Sequence, residues 1–110
     1  MRFIRHPFFE RDLIGIVDHI VEVTDSDVAA ASRRLDEVDA LLEAIASNPN
    51  SGVRLNGKLD GWLVRHGGAG QRLTIVFKPD ADAGQIYLAL VAFGGRDSMR
   101  LASARQVFAG

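Results

Sequence analysis

Residues 62–93, WLVRHGGAGQRLTIVFKPDADAGQIYLALVAF, decide the fold. Three runs within them, WLVRH, RLTIVFK and IYLALVAF, are rich in branched and aromatic side chains. A glycine run (Gly67-Gly68-Ala69-Gly70-Gln71) and the stretch from Pro79 to Gln85 separate them. Short apolar runs parted by tight turns predict an antiparallel meander. Asn56-Gly57, just upstream, is a further turn dipeptide. The glycine run is no phosphate-binding loop, because it lacks a Gly-Lys-Ser/Thr ending and leads into a strand where such a loop leads into a helix.

Loop symmetry gives an expected register. A first loop centred near Ala69 sets His66 opposite Arg72, Val64 opposite Thr74 and Trp62 opposite Val76. A second loop centred near Asp82 sets Arg72 beside Ala92. Side chains alternate between faces, so His66 and Arg72 are expected on one face at one end of the sheet, with Arg96 arriving there after the last strand. The other face takes Leu63, Leu73, Ile75, Phe77, Ala89, Val91 and Phe93. Trp62, Val64, Leu88 and Leu90 fall on the basic face, either as a docking surface or under the chain's own C-terminal helix.

Upstream of the meander the period changes. Arg2 to Arg5 reads as a short first strand. From Pro7, Phe9, Leu13, Ile16, Val17 and Ile20 recur at three- and four-residue steps, which is one face of a helix. Asp25-Ser26-Asp27 offers N-caps for a second helix, with Val28, Leu35, Val38, Leu42 and Ile45 as its stripe and Arg33, Arg34, Asp36, Glu37 and Asp39 towards water. Asn48-Pro49-Asn50-Ser51-Gly52 stops it. From Asp97 a short C-terminal helix is expected, with Met99, Leu101 and Val107 or Phe108 free to pack. The expected class is α+β: an N-terminal strand, an antiparallel two-helix hairpin on a three- to four-stranded antiparallel sheet, and a short C-terminal helix.

Composition narrows the chemistry. The chain of 110 residues suits one domain spanning 1–110. It has no cysteine, so disulfides and thiolate chemistry are excluded. The longest uncharged stretch, Ala83 to Gly95, is shorter than the roughly 20 residues that span a bilayer. The start, MRFIRHPFFERD, has no apolar core of a secretory signal, so a cytoplasmic location and no membrane partner are expected. The net charge of −1 hides an asymmetry: residues 1–60 hold seven Lys/Arg against eleven Asp/Glu, and residues 61–110 hold six against three. An anionic partner is expected on the second half. Asp18, His19 and Glu22 share a helix region but lack a second histidine at ligand spacing, so they read as a solvated face. His6, just before Pro7, reads as a strand-end residue.

Two arginines and a histidine at one sheet end make an anion site that can also move a proton. Arginine grips phosphate bidentately and histidine titrates near neutrality. Such a set can cleave RNA without metal or other cofactor. His66 would take the proton from the ribose 2′-hydroxyl while Arg72 and Arg96 stabilise the phosphate.

The order of strand, helix hairpin and meander, punctuated by NPNSG, LDGWLVRH, GQRLTIVFKPD and FGGRD, resembles the RelE/ParE toxin superfamily over most of the chain. The resemblance implies the plasmid-stabilisation type of toxin, from a bacterial type II toxin–antitoxin module. Its ribonuclease branch cuts mRNA on the ribosome without metal; its other branch inhibits DNA gyrase. Arg72 in GQRL falls on the ribonuclease branch's phosphate-binding arginine, and Arg96 in GGRD on the arginine after its last strand. Arg65 or His66 falls near its basic strand positions. The resemblance thus implies His66, Arg72 and Arg96 as catalytic residues and Arg65, Lys58 and Arg100 as substrate-binding ones. Ala102 stands where that branch often has tyrosine or histidine, and the GRD ending looks like the gyrase branch. The implied partners are a cognate antitoxin protein and mRNA on the ribosome, or DNA gyrase in the alternative; a homodimer is also admitted. A third reading is a degenerate member that only binds its antitoxin.

Overall fold

A computed structural model describes residues 1–94 and 98–106. The order is β1 (Arg2–Arg5), α1 (Phe9–Val23), α2 (Val28–Ser47), β2 (Val53–Arg54), β3 (Leu63–Gly67), β4 (Leu73–Asp80), β5 (Gln85–Phe93) and α3 (Ser98–Arg105). The fold is α+β. The sheet has five strands in the order β1-β5-β4-β3-β2 and is mixed, because β1 runs parallel to β5. This corrects the expected three- to four-stranded antiparallel sheet. β2 is two residues long, too short for any alternation to show. β1 has no turn joining it to its partner, so nothing local reveals which strand it joins or in which direction.

The helix hairpin forms for the expected reasons. Asp27 caps α2, its carboxylate accepting from the Ala30 N–H at 3.0 Å. α1 starts at Phe9, after a turn through Pro7, and Phe8 provides no side-chain cap. The hairpin buries Phe9, Ile16 and Ile20 from α1 and Ala31, Val38, Leu41, Leu42 and Ile45 from α2. Val28, expected in the stripe, is 71% exposed, because the first residue after the cap lies at the loop end of the hairpin. Against these helices the sheet presents Leu63, Leu73, Ile75, Phe77, Ile86, Leu88 and Val91.

One irregularity changes the expected faces. Val76 pairs with Leu90 and Phe77 with Leu88, which leaves Ala89 as the extra residue of a β-bulge. A bulge reverses the alternation beyond it. Leu88 therefore points to the helix hairpin, and Ala89 joins Leu90 on the other face. The assignment of these two residues from alternation is thus inverted, while Leu63, Leu73, Ile75, Phe77 and Val91 lie on the hairpin side as expected.

The other face is not open. Trp62, Val64, Val76, Ala89, Leu90 and Ala92 pack with Ala102 of α3 and with Leu59 into a second cluster, and Leu101 lies against it. Of the two readings of the apolar residues on this face, cover by the chain's own C-terminal helix is the one observed. An ion pair fixes that helix. Both guanidinium Nη atoms of Arg105 donate to Asp12 of α1, Nη1 to Oδ2 at 2.6 Å and Nη2 to Oδ1 at 3.0 Å. Arg105 also donates to the Ala89 carbonyl at 3.1 Å, and Asp12 accepts from the Val91 N–H at 3.2 Å. β1 stops pairing at Leu88, so these two β5 groups would otherwise be edge groups without a strand. The ion pair satisfies them.

Candidate functional site

The structure gives β3 and β4 a different register from loop symmetry. His66 pairs with Thr74, Val64 with Val76 and Leu63 with Phe77. The reason is the glycine loop. Ala69–Gln71 form a short helical turn, with Gly70 and Gln71 both at positive φ, and Arg72 follows in a helical conformation (φ −82, ψ −18). The loop takes up Arg72, so β4 begins one residue later, at Leu73. On β5, Thr74 and not Arg72 lies beside Ala92.

His66 is exposed, and its Nδ1 lies 2.9 Å from Thr74 Oγ1, a contact that orients the ring and leaves Nε2 as the nitrogen for exchange with a ligand. Arg65, the preceding residue, projects to the opposite face and donates to the Ser51 hydroxyl. β2 pairs only with Leu63 and Val64, so among the described residues no strand lies beside the outer edge of β3 from Arg65 onward. At that edge a cleft of about 390 Å³ opens between β3 and α2, lined among others by Arg65, His66, Gln71 and Glu37.

Glycine lets α2 come this close. A Cβ on Gly67 would stand 2.9 Å from the Leu41 side chain. One on Gly68, where φ is +74, would stand 2.6 Å from Glu37 Oε2. The glycine loop is therefore a close-approach surface for a helix. Glu37, expected in water, is mostly buried and bonds Arg34 at 2.7 Å, so Arg34 is turned inward as well. Glu37, Gln71 and Thr74 were not singled out by sequence reasoning. The only local sign was the Gly67-Gly68 pair, which marks a close contact without saying what makes it.

The other expected site residues are dispersed. Arg72, the last residue of the loop before β4, lays its guanidinium over the Phe93 ring, with Cζ 5.9 Å from the centroid. Its carbonyl accepts from the Gly94 N–H at 3.0 Å, so it is still at the His66 end of the sheet, one strand further in. Lys58 is exposed on the helical turn Gly57–Leu59, ahead of the first residue of β3, and the length of that strand separates it from His66. Arg100 is exposed on α3. Arg96 lies outside the described residues, as do Asp97, Val107 and Phe108. The structure thus brings Arg65 and His66 into one cleft, places Arg72 beside it, and leaves Lys58 away from it.

The chain was compared with models of protein families and with curated proteins. None matches. What the site can do therefore rests on its own groups. Among the described residues no group of three His, Asp or Glu side chains is placed to hold a metal, and no helix is long and apolar enough to cross a membrane. The site offers one oriented imidazole, two arginines that can pair with an anion and a carboxylate partly shielded from water. That set suits proton transfer next to a bound phosphate.

Proposed function

We propose that the chain is a toxin of the RelE/ParE type that cuts mRNA on the ribosome, with His66 at the reacting centre. The observation that supports this best is the His66 imidazole, exposed beside an unpaired strand edge and oriented by Thr74. In the proposed reaction His66 takes the proton from a ribose 2′-hydroxyl, and the 2′-oxygen attacks the adjacent phosphorus. The bond to the 5′-oxygen breaks and that oxygen takes a proton, giving a 2′,3′-cyclic phosphate and a 5′-hydroxyl. Arg72, one strand over, pairs with the non-bridging oxygens, and Arg96 is the second arginine of the proposal. Arg65 and Arg100 are proposed for the flanking backbone. Lys58 is too far along β3 to share the cleft. The element order of strand, helix pair, meander and helix is the one the resemblance implies, and it supports the reading.

A cognate antitoxin is the proposed protein partner, drawn to the net positive second half of the chain. The test is a translated mRNA incubated with the purified chain, with and without ribosomes, and mapped by primer extension. Ribosome-dependent cuts are expected, and His66→Ala should slow them by about 10²-fold or more, the usual contribution of a positioned general base. An intact message from a folded sample refutes the nuclease reading.

A second reading, non-enzymatic inhibition of gyrase, draws on the register. Thr74 faces His66 where a compact catalytic set would have an arginine. Under that reading, expression induces DNA-damage signalling while mRNA stays whole.

A further inference from the structure

A second cleft, of about 430 Å³, opens at the same end of the sheet on the hairpin side, between α1 and the end of β5. Gly15, Asp18, His19 and Glu22 line it at helical spacing, and the Phe93 ring forms its inner wall. The space beside Gly15 is open: a Cβ there would meet nothing within 4 Å. The ring is flanked on two sides, by His19 with centroids 6.0 Å apart and by the Arg72 guanidinium 5.9 Å from its centroid. The two carboxylates alone would be a solvated helix face. A half-buried aromatic ring with an arginine at its side, opening into the same cleft, is a stacking platform with a phosphate ligand beside it.

We infer that this cleft is a base-binding subsite that takes a guanine of single-stranded RNA, stacked on Phe93, with its phosphate directed to Arg72 and its edge read by Asp18 and Glu22. The choice of base follows from hydrogen-bonding chemistry. An ionised carboxylate only accepts. Guanine presents two adjacent donors on its pairing edge, N1–H and the N2 amino group, which one carboxylate can accept together. Adenine and cytosine each set an acceptor beside their amino donor, and uracil flanks its single donor with two carbonyls. Carboxylates therefore favour guanine and repel the other three. Arg72 directly precedes β4 and turns its guanidinium to the Phe93 ring, which puts its charge at the edge of this cleft. Two strand spacings, about 10 Å, separate β5 from β3, and Phe93 faces the helix hairpin while His66 faces the other side, so this cleft is distinct from the one at His66. The inference rests on the proposed RNA cleavage for its biological sense, though the subsite can be tested without it.

The test is a titration of the full chain with guanosine 5′-monophosphate, and separately with adenosine 5′-monophosphate, followed by amide NMR. Guanosine monophosphate should give saturable shifts at Gly15, His19 and Phe93, and adenosine monophosphate should bind at least about tenfold more weakly, the scale of one discriminating hydrogen-bond pair. Phe93→Leu should weaken both nucleotides by roughly tenfold through lost stacking. Glu22→Gln, an exposed change that leaves the core alone, should erase much of the preference for guanine. No saturable shift at these amides, or equal affinity for the two nucleotides, overturns the subsite. If the message is cut and guanosine monophosphate fails to bind, only the subsite fails. If the nucleotide binds and the message stays intact, the nuclease reading fails and the subsite stands.

Discussion

The two faces of the sheet are built differently. The hairpin face is closed by large side chains, Phe9 of α1 and Ile45 of α2 against Leu73, Ile75 and Phe77 of β4, all fully buried. The opposite face is closed by one short helix with a small contact residue, Ala102, and by the Arg105–Asp12 pair at its end. Apolar area alone holds the first, roughly 25 cal/mol per Å² and non-directional. The second needs a directional link, because an eight-residue helix is marginal by itself and Arg105 must reach across to α1. The lesson is that one sheet can have a face specified by pattern and a face specified by a single long-range polar contact.

The largest effect should come from the first face. Phe77→Ala removes a fully buried ring from the cluster that the helices and the sheet share and should cost about 3–5 kcal/mol, lowering the whole denaturation curve in one transition. A loss under about 1 kcal/mol would show that the hairpin is not what holds the sheet. On the second face, Asp12→Ala leaves the guanidinium of Arg105 buried without its partner, and strips the Val91 N–H of its acceptor. The expected cost is about 3 kcal/mol. The comparison sharpens with Asp12→Leu combined with Arg105→Met, which replaces the pair by apolar side chains. That double variant should be clearly more stable than Asp12→Ala alone, since breaking a buried pair costs more than replacing it. Hydrogen exchange in α3 would show where the loss falls. Protection lost evenly over the molecule, and not first in α3, would count against a separately latched face.

This division also explains what the sequence disclosed. The helix stripe from Phe9 to Ile20, the Asp27 cap and the three strand runs follow local period and turn chemistry, and all are present. The parallel seat of β1, the bulge at Ala89 and the Arg105–Asp12 pair depend on residues up to 93 positions apart, and no local signal encodes them. The site was partly legible for the same reason. His66 and Arg65 stand on a recognisable strand, so their shared cleft follows from the strand. The partner of His66 did not follow, because Gly70 and Gln71 turn through positive φ and absorb Arg72 into the loop. Glu37 lay hidden on a charged helix face, and only the absence of side chains at Gly67 and Gly68 hinted that a helix comes near.

The smallest predicted effect is a pH dependence on the latched side. His6 follows β1, and its Nδ1 accepts from the Phe8 N–H at 3.0 Å, a bond only the unprotonated nitrogen can make. Its pKa lies below the ordinary 6.5, chiefly because burial disfavours the cation and next because Arg105 is near; Asp12 offsets this in part. The unfolded chain therefore binds a proton more readily than the folded one. Stability from this group is complete above the unfolded value and declines as pH falls from there through the lowered folded value. Protonation would also set a second cation beside Arg105, the residue that holds α3. Denaturant midpoints at pH 7.5 and pH 5.5 should differ more in the natural chain than in His6→Gln, with the natural chain weaker at the lower pH. Arg105→Met should shrink the difference as well, because it removes the charge that helps to depress His6. Identical pH dependence in the natural chain and in His6→Gln would separate His6 from the latch.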